Sequence, residues 1–319
     1  MFAYIVRRTL FSFVVLFFAS IAIFLLVTLA GDPLTDLRQN PRVQPDDIER
    51  IANLYGLNQP LWVQYWIWIS GIFQGDFGVS FKQNAPVAEI IGRRVYPTVL
   101  LMGTSLLVTL AIAIPLGVYQ AIKKYSTLDN TATVLAFIGF STPTFLMGIL
   151  LQLVFGVYLT NATGTRFFYT SGMTDTGGFV DLVQHMALPV FALSAISIAS
   201  FSRFQRSAML DVLNSDYLRT ARAKGLSGNV VYFKHALRNA LIPTVTLVAL
   251  SLGTLLAGAV ITETVFAWPG LGFLFIDSLY KGDYNIARGI LIIIAVLTVF
   301  FNLMADIVYA AVDPRISYD

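Results

Sequence analysis

Six long apolar stretches without a charged residue follow one another along the chain, and they predict helices that cross a membrane. A membrane-spanning helix needs about 20 mostly apolar residues. Each stretch is continuously apolar rather than alternating, which favours helices over strands. The stretches lie at 10–30, 97–122, 131–165, 186–202, 240–262 and 289–305. The sequence therefore predicts an all-α polytopic membrane protein with six transmembrane helices.

The polar residues between these stretches divide the chain into three parts. Residues 1–30 are predicted to form an N-terminal transmembrane helix, 31–96 a large insertion, and 97–319 a core of five further transmembrane helices. The core contains a polar loop at 204–239, between the fourth and fifth transmembrane helices, and we expect this loop to carry a short helix.

Two short helices are predicted within the insertion. Pro45 followed by acidic residues is typical of a helix start, and Gly56 ends this pattern. The segment 60–69 contains three Trp and one Tyr, which suit a helix at the membrane–water boundary. An aromatic surface on which a substrate stacks is the alternative for this segment.

Composition and charge support the membrane interpretation and add an orientation. Of the 319 residues, 56% are hydrophobic and 12% are charged, against about 25% charged in a typical soluble domain. Lys and Arg concentrate before the first stretch, between the second and third, and within 203–239. By the positive-inside rule both termini are then cytoplasmic and the insertion is extracytoplasmic. The formal net charge of +3 is too small to indicate nucleic acid as a partner.

The sequence offers little material for catalysis or metal binding. It contains no Cys, no phosphate-binding GxxxxGK[ST] loop and no GxSxG or HExxH motif, so neither enzymatic activity nor a cofactor is expected in this chain. His185 and His235 fall at or beyond the ends of apolar stretches, and we expect both to be interfacial or loop residues. The stretches also lack the ionisable relay of a proton-coupled carrier.

Helix breakers and hydroxyl groups interrupt the third stretch at Ser141, Thr142, Pro143 and Thr144. Broken helices are tolerated in a membrane where they face protein or a wet cavity. Small and hydroxyl-bearing residues also stabilise the packing of helices. Lining of a pathway and helix packing therefore both stay open as roles for this break.

The loop at 204–239 contains the cationic segment YLRTARAKGL, residues 217–226. Its good helix formers predict a short helix, and Gly225 is a typical residue directly after a helix C-terminus. Small residues flanked by Arg and Lys suit docking in a groove of a soluble partner. A solvated basic loop near anionic lipid is the alternative.

This segment resembles the coupling loop of ATP-binding cassette importer permeases, whose general signature is EAA-x3-G-x9-I-x-L-P. Aligned on Gly225, the EAA positions fall on Arg219, Thr220 and Ala221, of which only Ala221 matches. Pro243 lies five residues farther from Gly225 than the signature requires. However, YLRTARAKGL followed by HALRNALIP resembles the variant of the peptide/nickel subfamily.

Further stretches resemble the same subfamily over nearly the whole chain. They lie at 4–8, 31–33, 55–65, 75–78, 256–272 and 312–316. By this resemblance the chain is identified as a member of the B-type membrane subunits of dipeptide/oligopeptide importers.

The resemblance implies import of di- or oligopeptides by alternating access across a bacterial-type cytoplasmic (inner) membrane. It implies a heterodimer with a second permease chain, two ATPase subunits that carry ATP and Mg, an extracytoplasmic substrate-binding protein, and surrounding membrane lipid. Nickel chelates or oligosaccharides are alternative substrates of the same machinery. An ATP-independent secondary carrier and a membrane scaffold are the competing classes.

Two sets of residues are expected to carry the mechanism that the resemblance implies. Contact with the ATPase subunits is expected from Arg219, Thr220, Ala221, Arg222, Ala223, Lys224 and Gly225. The translocation pathway is expected to involve Ser141, Thr142, Pro143, Thr144, Thr244, Thr246 and Ser251.

Overall fold

The structure of the chain, a computed structural model, describes residues 2–31, 34–35, 38, 43–54, 56–80 and 82–312, and the side chains of all of these except 2–3, 254–258 and 308–312. Parts of the stretches that carry the family resemblance therefore lie outside the described residues, namely 32–33, 55 and 313–316. The expected cytoplasmic C-terminus falls there as well.

Helices make up most of the described chain. In chain order the α-helices are α1 Phe2–Ala30, α2 Pro45–Leu54, α3 Leu61–Phe73, α4 Val87–Ile122, α5 Thr127–Ser141, α6 Thr144–Leu151, α7 Leu159–Thr163, α8 Phe179–Leu213, α9 Asp216–Ala223, α10 Leu237–Val265, α11 Leu271–Tyr280 and α12 Tyr284–Val312. Two π-helical segments, π1 Gln152–Tyr158 and π2 Val230–Ala236, lead into α7 and α10. The short strands β1 Val79–Ser80 and β2 Ala85–Pro86 pair antiparallel.

Six helical stretches among the described residues are long and apolar enough to cross a membrane. They are Tyr4–Ala30, Val87–Ile122, Thr144–Thr163, Phe179–Leu213, Val230–Gly253 and Tyr284–Ile307. This confirms the prediction of an all-α polytopic protein with six transmembrane helices.

All six spans differ in their bounds from those predicted, and the third and fourth show why. The apolar stretch 131–165 is not one helix, because Pro143 has no amide hydrogen to continue the helical bonding, and α6 begins anew at Thr144. The fourth helix was predicted over 186–202, but α8 runs from Phe179 to Leu213. Polar residues beyond both ends of its apolar stretch continue the helix.

The predicted loop at 204–239 is mostly helical, which corrects the sequence interpretation. The end of α8, all of α9 and π2, and the start of α10 occupy most of it. Within this range, all of which the structure describes, only 214–215 and 224–227 lie outside helices. Hydropathy shows where a helix leaves hydrocarbon, and it does not show where the helix ends.

The two short helices predicted in the insertion are confirmed. α2 begins at Pro45, and Gly56 follows it in the left-handed conformation, with a φ of +66°. In α3 the rings of Trp62 and Trp66 are exposed, which suits the membrane–water boundary. A substrate-stacking surface stays the alternative for α3.

The chain divides into two compact units, and the first comprises 2–98 and 269–300. In this unit the hydroxyl groups of Ser20 and Tyr65 hydrogen-bond at 2.9 Å and so join α1 to α3. An apolar core forms from Val87, Ile90, Ile91, Leu271, Leu274, Ile286 and Ile290.

The second unit comprises 99–268 and the described residues from 301 onward. Its centre is α8, which packs against α5, α6 and α10. All residues predicted for the ATPase contact and for the pathway belong to this unit.

Candidate functional site

The cationic segment forms the short helix α9 and its C-terminal turn, as predicted. Gly225 follows the helix with a φ of +77°. Its amide donates to the carbonyl of Arg222, and the amide of Leu226 donates to the carbonyl of Ala221. This pair of bonds is a Schellman motif, which requires a residue that tolerates the left-handed conformation. Glycine at 225 therefore has a structural reason.

The side chain of Leu218 anchors α9 in the apolar core of its unit. Leu218 is fully buried in an apolar cluster built from α4, α8, π2 and α10. The other buried members are Val118, Ala121, Met209, Val231, Ala236 and Ala240. Burial of a leucine side chain stabilises by roughly 1.5–3 kcal/mol. A displacement of α9 is therefore passed to the helices that surround Leu218.

The opposite surface of α9 is open. Six of the residues predicted to contact the ATPase subunits are exposed: Arg219, Thr220, Arg222, Ala223, Lys224 and Gly225. Ala221 is half-buried and packs against the cluster around Leu218. Arg219 forms an ion pair of 3.3 Å with Asp216, which is also exposed. The surface combines small residues with cations, so it admits a closely approaching partner and favours acidic groups on it.

An ion pair between the buried Asp129 and the half-buried Arg206 joins α5 to α8 in the same unit. Arg206 donates through Nε and a terminal nitrogen to the two carboxylate oxygens of Asp129, both at 2.8 Å. The backbone amide of Tyr125 donates to the same carboxylate at 2.9 Å. The Arg206 guanidinium holds the pKa of Asp129, which is 1% exposed, below its usual value. The pair is therefore ionised at neutral pH.

Neighbouring contacts also join α8 to α10 and α4, and we call these contacts together with the ion pair the joint around Arg206. The hydroxyl of Thr244 donates to the Gln205 side chain at 2.6 Å. A Cβ atom on Gly117 would lie 2.5 Å from the carbonyl oxygen of Ser202, so the backbones of α4 and α8 are in direct contact there. Within 202–206, α8 is thus held by α4, α5 and α10.

Sequence reasoning missed this joint. Asp129 and Arg206 lie 77 positions apart, each at the polar end of an apolar stretch, where a charge is ordinary. The opposite signs of their charges are the one signal in the sequence, and that signal does not indicate which residues pair.

The predicted pathway residues at the break between α5 and α6 are partly accessible. Ser141 and Pro143 are exposed, and Thr142 and Thr144 are half-buried. Thr142 ends α5 in an extended conformation, and its hydroxyl donates to the carbonyl of Ile138 at 2.8 Å. The break is therefore a defined turn in the backbone.

The predicted pathway residues on α10 differ among themselves. Thr246 and Ser251 are half-buried. Thr244 is 2% exposed, and its hydroxyl is bonded to Gln205 inside the unit. Because α6 packs against α10, the fold brings these residues into the same unit as the break. Their part in a pathway stays a prediction.

Two family descriptions match the chain. The family of the binding-protein-dependent transport system inner membrane component matches residues 113–318. The family of the N-terminal part of binding-protein-dependent transport system membrane components matches residues 1–103.

Several curated proteins are similar over nearly their full length. The chain is 44% identical over 321 residues to the oligopeptide transport system permease protein AppB of Bacillus subtilis (strain 168), covering 99% of each chain. It is 38% identical over 308 residues to the dipeptide transport system permease protein DppB of Escherichia coli (strain K12), covering 91% of each. It is 39% identical over 316 residues to the glutathione transport system permease protein GsiC of the same strain, covering 99% of each.

A solved structure shares the fold. It is described as inward facing conformations of the MetNI methionine ABC transporter, and it matches with a TM-score of 0.57 at 18% sequence identity. The match covers 70% of this chain and 96% of that chain.

Proposed function

The chain belongs to the family of binding-protein-dependent transport system inner membrane components, and from that premise we propose that it imports di- or oligopeptides together with a second permease chain. As a family member it is a multi-pass membrane permease subunit of an ATP-binding cassette importer. In the proposal the two permease chains form a heterodimer, and a cavity between them opens to one side of the membrane at a time. A peptide is too polar to cross lipid without such a cavity.

The construction of α9 is the observation that carries this proposal. One side of α9 is exposed, small and cationic, and the other is fixed by Leu218 to a cluster drawn from four helices. A partner that pushes on the exposed side therefore moves α4, α8 and α10 as well. In the proposal two ATPase subunits, which bind ATP and Mg, apply that push to residues 219–225. This chain itself has no catalytic role.

The orientation of the chain belongs to the same proposal. Contact with ATPase subunits requires α9 on the cytoplasmic side, where Lys and Arg also concentrate. Both termini are then cytoplasmic. The insertion at 31–96 lies on the other side and receives the extracytoplasmic substrate-binding protein.

Peptides are the proposed substrate because the relatives named for oligopeptide, dipeptide and glutathione transport match the chain over most of its length. Nickel chelates and oligosaccharides are the alternative cargo. An ATP-independent carrier is the alternative mechanism.

A charge reversal on α9 tests the proposal. Arg222→Glu places a negative charge on the exposed surface that is expected to meet acidic groups of the ATPase subunit. We expect uptake of a labelled tripeptide to fall roughly tenfold or more, because like charges in an interface are strongly unfavourable. The measurement uses the whole complex, with its binding protein, in proteoliposomes supplied with ATP.

Lys234→Glu is the matched control, because Lys234 is an exposed cation on π2 outside the predicted contact. It should transport peptide at nearly the wild-type rate. Equal losses in both variants would refute a specific role for α9, and uptake without ATP would establish the carrier instead. Uptake of labelled nickel or of a labelled oligosaccharide, without uptake of the tripeptide, would replace the proposed substrate.

A further inference from the structure

His185 is buried near the start of α8 and is therefore not a loop residue, whereas its predicted place at the membrane interface stays a prediction. Its ring stacks on Tyr169, with centroids 4.0 Å apart and planes 11° from parallel. The residue is 2% exposed. The loop alternative is wrong because α8 begins before its apolar stretch and includes His185.

The surroundings of the ring fix which of its nitrogens carries the proton. Nδ1 of His185 lies 2.8 Å from the backbone carbonyl oxygen of Asp181 and 3.1 Å from the carboxylate of the same residue. Both oxygens are acceptors, so Nδ1 is the N–H donor. In the neutral ring Nε2 is then an unprotonated lone pair.

The carboxylate of Asp181 is held in turn by the segment that precedes α8. Its Oδ2 accepts hydrogen bonds from the hydroxyl of Thr174 at 2.5 Å and from the amides of Asp175 and Thr176 at 2.7 and 2.8 Å. These bonds wrap the segment around Asp181. They also fix the backbone position of Asp175, and with it the place from which its side chain extends.

Nε2 of His185 faces the carboxylate of Asp175. The nitrogen is buried and has no hydrogen-bond partner among the residues that the structure describes, and Oδ1 of Asp175 lies 3.8 Å away. A lone pair and a carboxylate at this distance repel each other unless a cation joins them. A shared proton would draw nitrogen and oxygen to about 2.8 Å. Two ligands that are each about 2.1 Å from one tetrahedral ion lie about 3.4 Å apart, which is closer to the observed distance.

We propose that His185 Nε2 and Asp175 bind a divalent transition-metal ion, represented by Zn²⁺, with water completing its coordination. Asp181 is the positioning residue, since a metal-binding histidine commonly donates its other N–H to a carboxylate or a carbonyl. One imidazole and one carboxylate favour Zn²⁺, Ni²⁺ or Cu²⁺ over Mg²⁺ and Ca²⁺, which prefer oxygen ligands. The ligand atoms of the three residues all lie within 4.8 Å of one another. This proposal does not depend on the transported substrate.

Two protein ligands make an open site whose ion exchanges with solvent. The side chain of Asp175 is 66% exposed, so the ion is reached from the surface. The same loop is tied to the end of α10, because the amide of Gly172 donates to the carbonyl of Phe266 at 3.0 Å. A bound ion would therefore connect the start of α8 to the end of α10 through one loop.

The test measures metal binding by the intact complex, purified without a polyhistidine tag. The chain has only two histidines, so His185→Gln and His235→Gln form a matched pair. We expect His185→Gln to weaken Zn²⁺ binding in calorimetric titration by at least about tenfold. Cu²⁺ added as a spectroscopic probe should lose its nitrogen hyperfine coupling in the same variant. His235→Gln should retain both signals.

A second pair of variants separates the ligand from general loss of negative charge. Asp175→Asn should weaken Zn²⁺ binding, whereas Asp211→Asn, which removes an exposed carboxylate from α8, should not. Zn²⁺ binding that is unchanged in His185→Gln would overturn the proposal. So would a nitrogen NMR spectrum that shows His185 as imidazolium at neutral pH with no response to Zn²⁺.

Discussion

Two arginines on candidate membrane spans, the half-buried Arg206 and the buried Arg288, are stabilised in different ways. Arg206 makes a two-pronged ion pair with Asp129. Arg288 is 7% exposed, donates to the hydroxyl of Thr28 at 3.0 Å and lies 5.0 Å from the ring centre of Phe24. Among the described residues no carboxylate forms an ion pair with Arg288, and Nε of Arg288 has no hydrogen-bond partner.

The comparison shows that the charge of Arg206 joins two helices, whereas the charge of Arg288 does not pair with another charge among the described residues. Removal of Arg206 leaves the buried carboxylate of Asp129 without its cation, and removal of Asp129 leaves a half-buried guanidinium without its carboxylate. Removal of Arg288 leaves no carboxylate unpaired among the described residues. The side chain of Arg288 lines an open cavity of about 580 Å³ together with Asp76 and Asn285. Ionisable groups within a membrane are energetically costly, so their presence there commonly marks a functional site. We therefore expect Arg206 to matter mainly for stability and Arg288 mainly for activity.

Asp129→Asn should have the largest effect on stability. It leaves the guanidinium of Arg206, whose side chain is 24% exposed, without its carboxylate. The expected loss in the free energy of unfolding is about 2 kcal/mol, the contribution of hydrogen bonds between charged groups. Thermal unfolding of the protein in detergent measures this loss. An unchanged unfolding midpoint would remove the distinction between the two arginines.

The pH dependence of the same variant provides its control. The pKa of Asp129 is lowered in the folded protein, so the ion pair contributes its full stability above the usual carboxyl pKa of about 4. That contribution is lost as the pH falls through the lowered pKa. The difference between wild type and Asp129→Asn should therefore shrink only below about pH 4.

Thr244→Val should have a smaller effect and shows how far the joint around Arg206 extends. The variant removes the hydroxyl that donates to Gln205 and leaves a buried acceptor without its partner, at an expected loss of about 1 kcal/mol. Thr246→Val is the matched control, because Thr246 lies on the same helix but is half-buried. Equal unfolding midpoints for the two variants would confine the joint to the ion pair.

Arg288→Met should have the smallest effect on stability, within about 1 kcal/mol of wild type, because no buried carboxylate loses its partner. Arg206→Met should lose about as much as Asp129→Asn. If charge at 288 serves transport, uptake by the assembled complex falls although the unfolding midpoint is kept. Equal destabilisation by the two methionine variants would contradict the comparison.

The sequence predicted the spans well because the thickness of a membrane sets the length of an apolar stretch. All six are present among the described residues. The break at Pro143 and the end of α9 at Gly225 were also predicted, because each depends on the backbone chemistry of one residue. These features are local, so the sequence around them is sufficient.

The features that the sequence did not predict depend on contacts between distant parts of the chain. Asp129 and Arg206 meet only after α5 has packed on α8, and Leu218 is buried only because four other helical segments surround it. His185 was misplaced because α8 begins seven positions before the apolar stretch at 186. Hydropathy carries no information on how far a helix continues into polar residues.

The π-helical segment π2, which lies beside α9, offers a way for α10 to rotate in one discrete step. A π turn holds about one residue more than an α turn, and π2 leads directly into α10. Conversion of 230–236 to ordinary α geometry would swivel α10 by about 100° around its own axis, the angle that one residue spans. This rotation would move Thr244 away from Gln205 without unwinding α10.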